Sequence, residues 1–358
     1  MKQRTTKLKL SLGLKLKDAL IVFSESNIYY LSKFNGHAAT IVLTQQNNYL
    51  ITDYRYYDQA KQQANNIIVI CRDRVKQSLG DLINLLLIEN SINKVLFESD
   101  HISVSQWEII YSALECNEFE ATNRSIEDMR FYKDKKEIDQ IQQAAKIADQ
   151  ALEKILDCIR KGVSERDLSI ELEYQMRKLG SEKMSFPTII GFAERSALPH
   201  CSPSNKKLNK GDLILIDFGA VINGYHSDMT RTYVYGKATP QQKEIYDTVY
   251  RAQRSAIDAL AEGVTGEYLF NQSEKILKKS QYAKFRGEGL GHGVGLELYE
   301  NPFLGKNCQM KIAKGCVITI EPGIYIPGWG GIRIEDDVVL TDNGVHVLTK
   351  SPKQPFEL

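Results

Sequence analysis

Among these 358 residues there is no CxxC pair: Cys71, Cys116, Cys158, Cys201, Cys308 and Cys316 lie scattered along the chain. That spacing excludes a thiolate zinc motif and offers no disulfide framework, so free thiols in a reducing cytoplasm are expected. No apolar run approaches the roughly 20 residues of a membrane-spanning helix. The basic N-terminal stretch does not read as a signal peptide either, because Lys9, Lys15, Lys17 and Asp18 interrupt Leu8 to Leu20. Charge of one sign is also lacking. With 46 Lys and Arg against 45 Asp and Glu, the net charge of +1 gives no reason to expect nucleic acid as a partner.

What is present is a chain long enough for two hydrophobic cores. Its first third alternates short apolar runs (residues 19–23, 40–43, 49–51, 67–70 and 94–97) with a helical pattern from Leu79 to Leu87, which predicts an α/β domain with a small sheet. The charge-rich stretch 123–136 follows, and a boundary near residue 125 gives domains 1–125 and 126–358. Beyond it, Ile138, Ile141, Ala145, Ala148, Leu152 and Ile155 recur at helical spacing from Glu137 toward Gly162. A second helix is expected through Leu168 to Leu179, and a third from Thr239-Pro240 toward Gly263, with a cap residue and proline at its start.

The second half repeats itself. Lys161-Gly162-Val163-Ser164 is echoed 101 residues later by Glu262-Gly263-Val264-Thr265. Lys210-Gly211-Asp212-Leu213-Ile214-Leu215-Ile216-Asp217-Phe218-Gly219 is echoed 104 residues later by Lys314-Gly315-Cys316-Val317-Ile318-Thr319-Ile320-Glu321-Pro322-Gly323. Two helix-plus-hairpin halves with pseudo-two-fold symmetry would share one core, and each copy carries an acid at the same place.

Period-two alternation puts Leu213, Leu215 and Asp217 on one strand face. After a turn at Asn223-Gly224 the chain returns through Asp228, within a residue or two of the position opposite Asp217. In the second copy Glu321 precedes a Pro327-Gly328 turn and a return through Glu335. One such acid alone reads as a turn or edge residue; four at the ends of apolar strands would repel one another unless a cation compensates them. Oxygen ligands with one imidazole favour manganese, with cobalt, iron or zinc compatible, and two ions sharing carboxylates would acidify a water between them. Asp336 and Asp337 read as solvated or supporting groups.

In Gly287-Glu288-Gly289-Leu290-Gly291-His292-Gly293-Val294-Gly295 the glycines suggest close backbone approach around a ligand histidine, His292, rather than a dinucleotide loop, since no βαβ unit surrounds them. His200 falls in an irregular segment before the first acidic strand, where it would donate a proton or orient a substrate. His226 alternates onto the face of Asp228, whereas His37, His101 and His346 have no acidic constellation nearby and read as structural.

These residues resemble the creatinase/prolidase/aminopeptidase P group of metallopeptidases. The resemblance rests on RSALPH (195–200), IDFGA (216–220), SDMTRT (227–232), GHGVGL (291–296), TIEPG (319–323) and RIED (333–336), and extends to the N-terminal third through 27–31, 34–36 and 51–56. It implies an α+β pita-bread catalytic domain behind the α/β N-terminal domain, with Asp217, Asp228, His292, Glu321 and Glu335 as ligands of two divalent metal ions. It further implies that Glu321 activates the water, His200 contacts the substrate, and Arg333 holds the acidic cluster in place. Where the group commonly carries histidine, four residues before and seven after the ligand histidine, this chain has Glu288 and Tyr299 at the substrate-binding positions. Tyrosine there can donate a hydrogen bond but is a poorer proton shuttle.

The activity implied is release of an N-terminal residue from a peptide with proline in second position. The segment 27–35 inclines toward an Xaa-Pro aminopeptidase, with an Xaa-Pro dipeptidase, a creatinase-like hydrolase or a non-catalytic binding protein as alternatives. The resemblance also implies a homodimer formed with help from the N-terminal domain. Light scattering should therefore find a species of twice the 40.6 kDa chain mass, and a species of 40.6 kDa alone would refute the dimer.

Overall fold

The structure is a computed structural model that describes residues 2–354 and 356–358. It divides after Arg130, a few residues beyond the boundary placed near 125. The first unit is built on a six-stranded sheet with spatial order Ile68–Arg72, Asn48–Asp53, Ala39–Thr44, Asp18–Val22, Lys94–Glu98, Glu118–Thr122. All five apolar runs become strands of it. Ala19, Ile21, Val42 and Val95 pack against Leu82, Ile83, Leu86 and Leu87 of the helix Leu79–Glu89. The helices Lys2–Ser11, Glu25–Ser32, Tyr57–Gln63 and Val104–Tyr111 were not legible in the pattern, being short or mostly polar.

In the second unit the long helix runs Lys135–Leu156, not from Glu137 to Gly162. Asp134 caps it, accepting from Glu137 N while Glu137 bonds back to Asp134 N, which draws the start two residues forward. At the other end Cys158 N and Ile159 N reach back only three residues, to Ile155 O and Leu156 O, and the helix closes there. Glu165–Lys178 and Pro240–Asp258 form as expected. Ile245, Val249, Ala252 and Ala256 of the latter are fully buried.

The internal repeat survives in three dimensions. Gly162 and Gly263 share φ near 84° and 85°, and Gly211 and Gly315 share 89° and 84°. Ser164 and Thr265 each cap a helix, the second of which, Gly266–Leu277, the periodicity had not disclosed. Each cap residue makes a lone bridge to a lysine, Ser164 to Lys207 and Thr265 to Lys311, again 104 residues apart. The second half thus holds two helices, as the first does.

The first half contributes a sheet ordered Met229–Val234, Leu213–Phe218, Ile189–Phe192; the second contributes Glu300–Gly305, Gly289–Gly293, Val317–Ile320, Asp336–Thr341, Gly344–Val347. Every residue of Leu213–Phe218 and Met229–Val234 is buried, so these strands are covered on both faces. Ile214 and Ile216 pack with the helices, while Leu215 packs with Ile189 and Cys201.

Both hairpins are interrupted. Asn223-Gly224 turns a two-residue ladder, Ile222 opposite Tyr225, and Ser227 N then bonds Ala220 O before pairing resumes at Phe218 with Met229. In the second copy Gly323–Ile326 pairs with Gly330–Arg333, and Val317–Ile320 with Asp336–Thr341. The acids Asp228, Glu321 and Glu335 sit in these interruptions, and Asp217 at the edge of one. The two hairpins are tied to each other by Glu335 N to Thr230 O at 3.2 Å and by Thr232 Oγ1 to Arg333 O at 2.8 Å.

Asp336 and Asp337 are not solvated: both are 0% exposed. Asp336 accepts from Arg231 Nη2 (2.8 Å), Lys353 Nζ (2.6 Å), Thr349 Oγ1 (2.8 Å) and Gln253 Nε2 (2.9 Å), joining both halves to the C-terminal segment. Asp336→Ala would strand the buried Arg231 and the half-buried Lys353, and a loss of about 3–5 kcal/mol is expected. A urea titration of the variant would show it as a lowered midpoint; an unchanged midpoint would mean that the network contributes nothing.

Candidate metal centre

Asp217, Asp228, His292, Glu321 and Glu335 converge on one cleft of about 1330 Å³ that lies wholly within the second unit. Among the described residues, Asp228, His292 and Glu335 bring three ligand atoms within 4.8 Å of one another. Glu321 joins them through Oε1, 3.4 Å from His292 Nε2, which is itself 3.6 Å from Asp228 Oδ2.

Local hydrogen bonding explains how each side chain is aimed. His292 lies on Gly289–Gly293, and its Nδ1 is 3.1 Å from Gly293 O. A carbonyl only accepts, so Nδ1 carries the hydrogen and Nε2 presents its lone pair to the acids. Gly291 is what allows the strand to come so close: its φ is +152°, and a Cβ would fall 2.2 Å from Thr319 O. Thr319 Oγ1 accepts from His292 N at 3.0 Å and bonds Glu321 Oε1 at 3.1 Å. The glycine run is thus an antiparallel strand packed edge-on, not a phosphate loop.

Arg333 Nη2 donates to Asp217 Oδ2, Nε to Thr230 Oγ1 at 3.0 Å and Nη1 to the Tyr325 hydroxyl at 2.8 Å. Thr230 Oγ1 in turn donates to Glu335 Oε2 at 2.6 Å. Asp228 N donates to Asp337 Oδ2 at 2.9 Å. Thr230 and Tyr325 were missed in the sequence, where their positions near acids in the repeat were the available signal; of the two roles read for Asp337, solvated or supporting, the structure shows the supporting one.

The remaining oxygens carry the argument. Asp217 Oδ1, Asp228 Oδ1, Glu335 Oε1 and Asp337 Oδ1 are buried with no hydrogen-bond partner among the described residues. Burial pushes the Asp228 carboxyl well above the usual range, and the charges of Glu335, Asp217, Glu321 and Asp337 push it further. Glu335 is likewise raised well above its usual value by burial, then by Glu321 and Asp217. Orphaned, mutually repelling carboxylate oxygens beside an imidazole lone pair are a donor set for divalent cations.

Around this floor, His200 is exposed and lines the cleft, as do Glu288 and Tyr299. The Tyr299 ring packs edge-on to His292 with centroids 4.5 Å apart. Burial, followed by the charges of Asp228, Glu321, Asp217 and Glu335, pushes its hydroxyl up to about 12, so it stays protonated at neutral pH. His226 is buried and bonds Ser185 Oγ at 2.8 Å. His37 and His101 do have acidic partners, Glu25 at 3.1 Å and Glu127 at 2.7 Å.

If repulsion dominates the metal-free site, Asp228→Asn should raise the melting midpoint of the chelator-treated protein, by ~2–4 °C for each kcal/mol relieved in a unit of this size. The further rise that added Mn²⁺ gives the unaltered protein should be lost. Thermal melts with and without metal measure both, and a variant that still responds to Mn²⁺ would remove Asp228 from the site.

The chain matches the model of the metallopeptidase family M24 over residues 139–342 and that of the creatinase/prolidase N-terminal domain over residues 4–132. It is 36% identical over 358 residues to the Xaa-Pro dipeptidase of Pyrococcus furiosus, covering 99% of each chain. Among solved structures, an Xaa-Pro dipeptidase from Bacillus anthracis superposes with TM-score 0.95 at 36% identity, covering 100% of this chain and 99% of that one. An X-Pro aminopeptidase from Thermotoga maritima gives 0.92 at 34%, covering 98% and 100%.

Proposed function

This chain belongs to metallopeptidase family M24, with the pita-bread fold in its second unit, and we propose that within the family it is an Xaa-Pro dipeptidase. The single observation that carries the hydrolytic reading is the set of buried carboxylate oxygens without donors on the cleft floor. A non-catalytic protein would retain their cost in stability to no purpose. The inclination of residues 27–35 toward an aminopeptidase gives way to the full-length likeness to Xaa-Pro dipeptidases. The aminopeptidase reading stays second, supported by the Thermotoga maritima structure.

Two bound divalent ions, manganese on the oxygen-rich donor set, would neutralise the acids and acidify a water. Asp217, Asp228, His292, Glu321 and Glu335 are the residues that would hold them. Glu321 is the base: its side chain is 26% exposed against 10% or less for Asp217, Asp228 and His292, so it reaches both the cleft and His292. Thr319 Oγ1 fixes one of its oxygens, leaving the other for a proton. Arg333 orients Asp217 and offsets part of the rise that burial imposes on its carboxyl.

His200 contacts the substrate and assists proton transfer at the cleft wall. Its neighbour Pro199 ties it to the centre, because Pro199 O accepts from Arg333 Nη1 at 3.3 Å. Tyr299, held protonated, donates a hydrogen bond to a substrate oxygen rather than shuttling a proton. Glu288 stands at the rim, where its charge favours a substrate amino group. Six free cysteines support a cytoplasmic setting, and the family resemblance supports a homodimer. No helix among the described residues is long and apolar enough to cross a membrane.

The cleft has room for a dipeptide or a longer chain, so size does not choose between the two readings. With Mn²⁺ present, Ala-Pro should be cleaved and Ala-Pro-Ala spared; rapid cleavage of the tripeptide would favour the aminopeptidase, and no cleavage of either would end the peptidase reading.

A further inference from the structure

Glu165 is the first residue of the helix Glu165–Lys178, a position where acids are normally solvated, yet it is 0% exposed. It does not cap that helix, since Ser164 and Asp167 form the capping box. Its carboxylate instead gathers donors from a separate segment. Oε1 accepts from Phe192 N at 2.8 Å, and Oε2 from Ser204 N at 2.8 Å and Ser204 Oγ at 2.6 Å. Arg195 Nε donates to both oxygens, at 3.0 and 2.9 Å. One buried carboxylate therefore clasps both ends of residues 192–204.

Arg195 passes the constraint inward. Its Nη2 donates to Ser202 O at 2.7 Å and lies 3.2 Å from Cys201 Sγ, which is 2% exposed. From the opposite side, Arg333 holds Pro199 O, and Ser196 Oγ accepts from Gly331 N at 2.8 Å. His200 lies between these ties without being part of them, its side chain open to the cleft. A histidine on an irregular segment would otherwise sample many positions, and misplacement by about 1 Å can cost roughly 100-fold in rate.

We infer that Glu165, acting through Arg195, is a positioning residue that fixes the 192–204 segment so that His200 faces the metal centre. This rests on the proposed contact between His200 and the substrate. A purely structural Glu165 would change stability and leave the efficiency of each folded, metal-loaded chain intact.

The test uses the full-length, Mn²⁺-loaded protein and the variants Glu165→Gln, His200→Ala and their combination, with kcat/KM on Ala-Pro and peptide-level mass spectrometry of Cys201 alkylation. Glu165→Gln should lower kcat/KM by roughly 10- to 100-fold. It should lower it no further once His200 is alanine, and should make Cys201 alkylate at least severalfold faster. Losses that multiply in the double variant, or an unaltered alkylation rate, would overturn the inference. If the unaltered chain cleaves no Xaa-Pro peptide, the proposed function fails, while the alkylation arm still decides whether Glu165 holds the segment. Should Glu165→Gln not fold, Ser204→Ala removes the 2.6 Å bond to Glu165 together with the 3.1 Å bond from Lys206 N, and the same pattern is expected with a smaller loss.

Discussion

Buried carboxylates that lack enough donors constrain everything else in the second unit. Asp217, Glu335 and Asp337 each have one oxygen tied, to Arg333, Thr230 and Asp228 N, and the other left bare. The tied oxygens fix each side chain; the bare ones concentrate negative charge in one place. Such an arrangement favours bound cations, because desolvation and like-charge repulsion both oppose ionisation without them. Interrupted hairpins, a glycine strand pressed against Thr319 and an arginine buried among acids all serve to bring these oxygens together.

Neighbouring residues in the second hairpin show how finely this is divided. In Glu335-Asp336-Asp337, Glu335 and Asp337 are pushed well up by burial and nearby acids. Burial acts on Asp336 in the same direction, but Arg231 and Lys353 outweigh it and hold its carboxyl below the usual value. One acid of the three is therefore a neutralised strut, while Glu335 lines the cleft floor and Asp337 supports it from behind through Asp228 N. Strand alternation sends Asp336 away from the cleft and toward the helix Pro240–Asp258, where Gln253 meets it.

The wall of the cleft is specialised separately from its floor. Tyr299 presents a hydroxyl that stays protonated, and Glu288 places an acid at the rim. His200 depends on ties made by residues well outside the cleft chemistry, Glu165 among them. Floor and wall meet at Arg333, which bonds Asp217 on one side and Pro199 O on the other. The orientation of the segment that carries His200 is thereby linked to the geometry of the acids.

The sequence alone carried the α/β character of the first third and the duplication of the second half. It also carried the placement of four acids and a histidine, because strand alternation, glycine-led turns and a repeat offset of 104 residues are properties of order along the chain. It did not disclose the short polar helices of the first unit or the helix Gly266–Leu277, whose burial is decided by what packs on them. Nor did it reveal that Asp336 and Asp337 are buried, or that Thr230, Tyr325 and Glu165 support the site. Those facts depend on pairings in space that range from Tyr325 with Arg333, 8 positions apart, to Asp228 with Asp337, 109 apart. Only the tertiary structure decided which carboxylate oxygens receive a donor and which are left for a cation, because desolvation and hydrogen-bond satisfaction are set by neighbours in space.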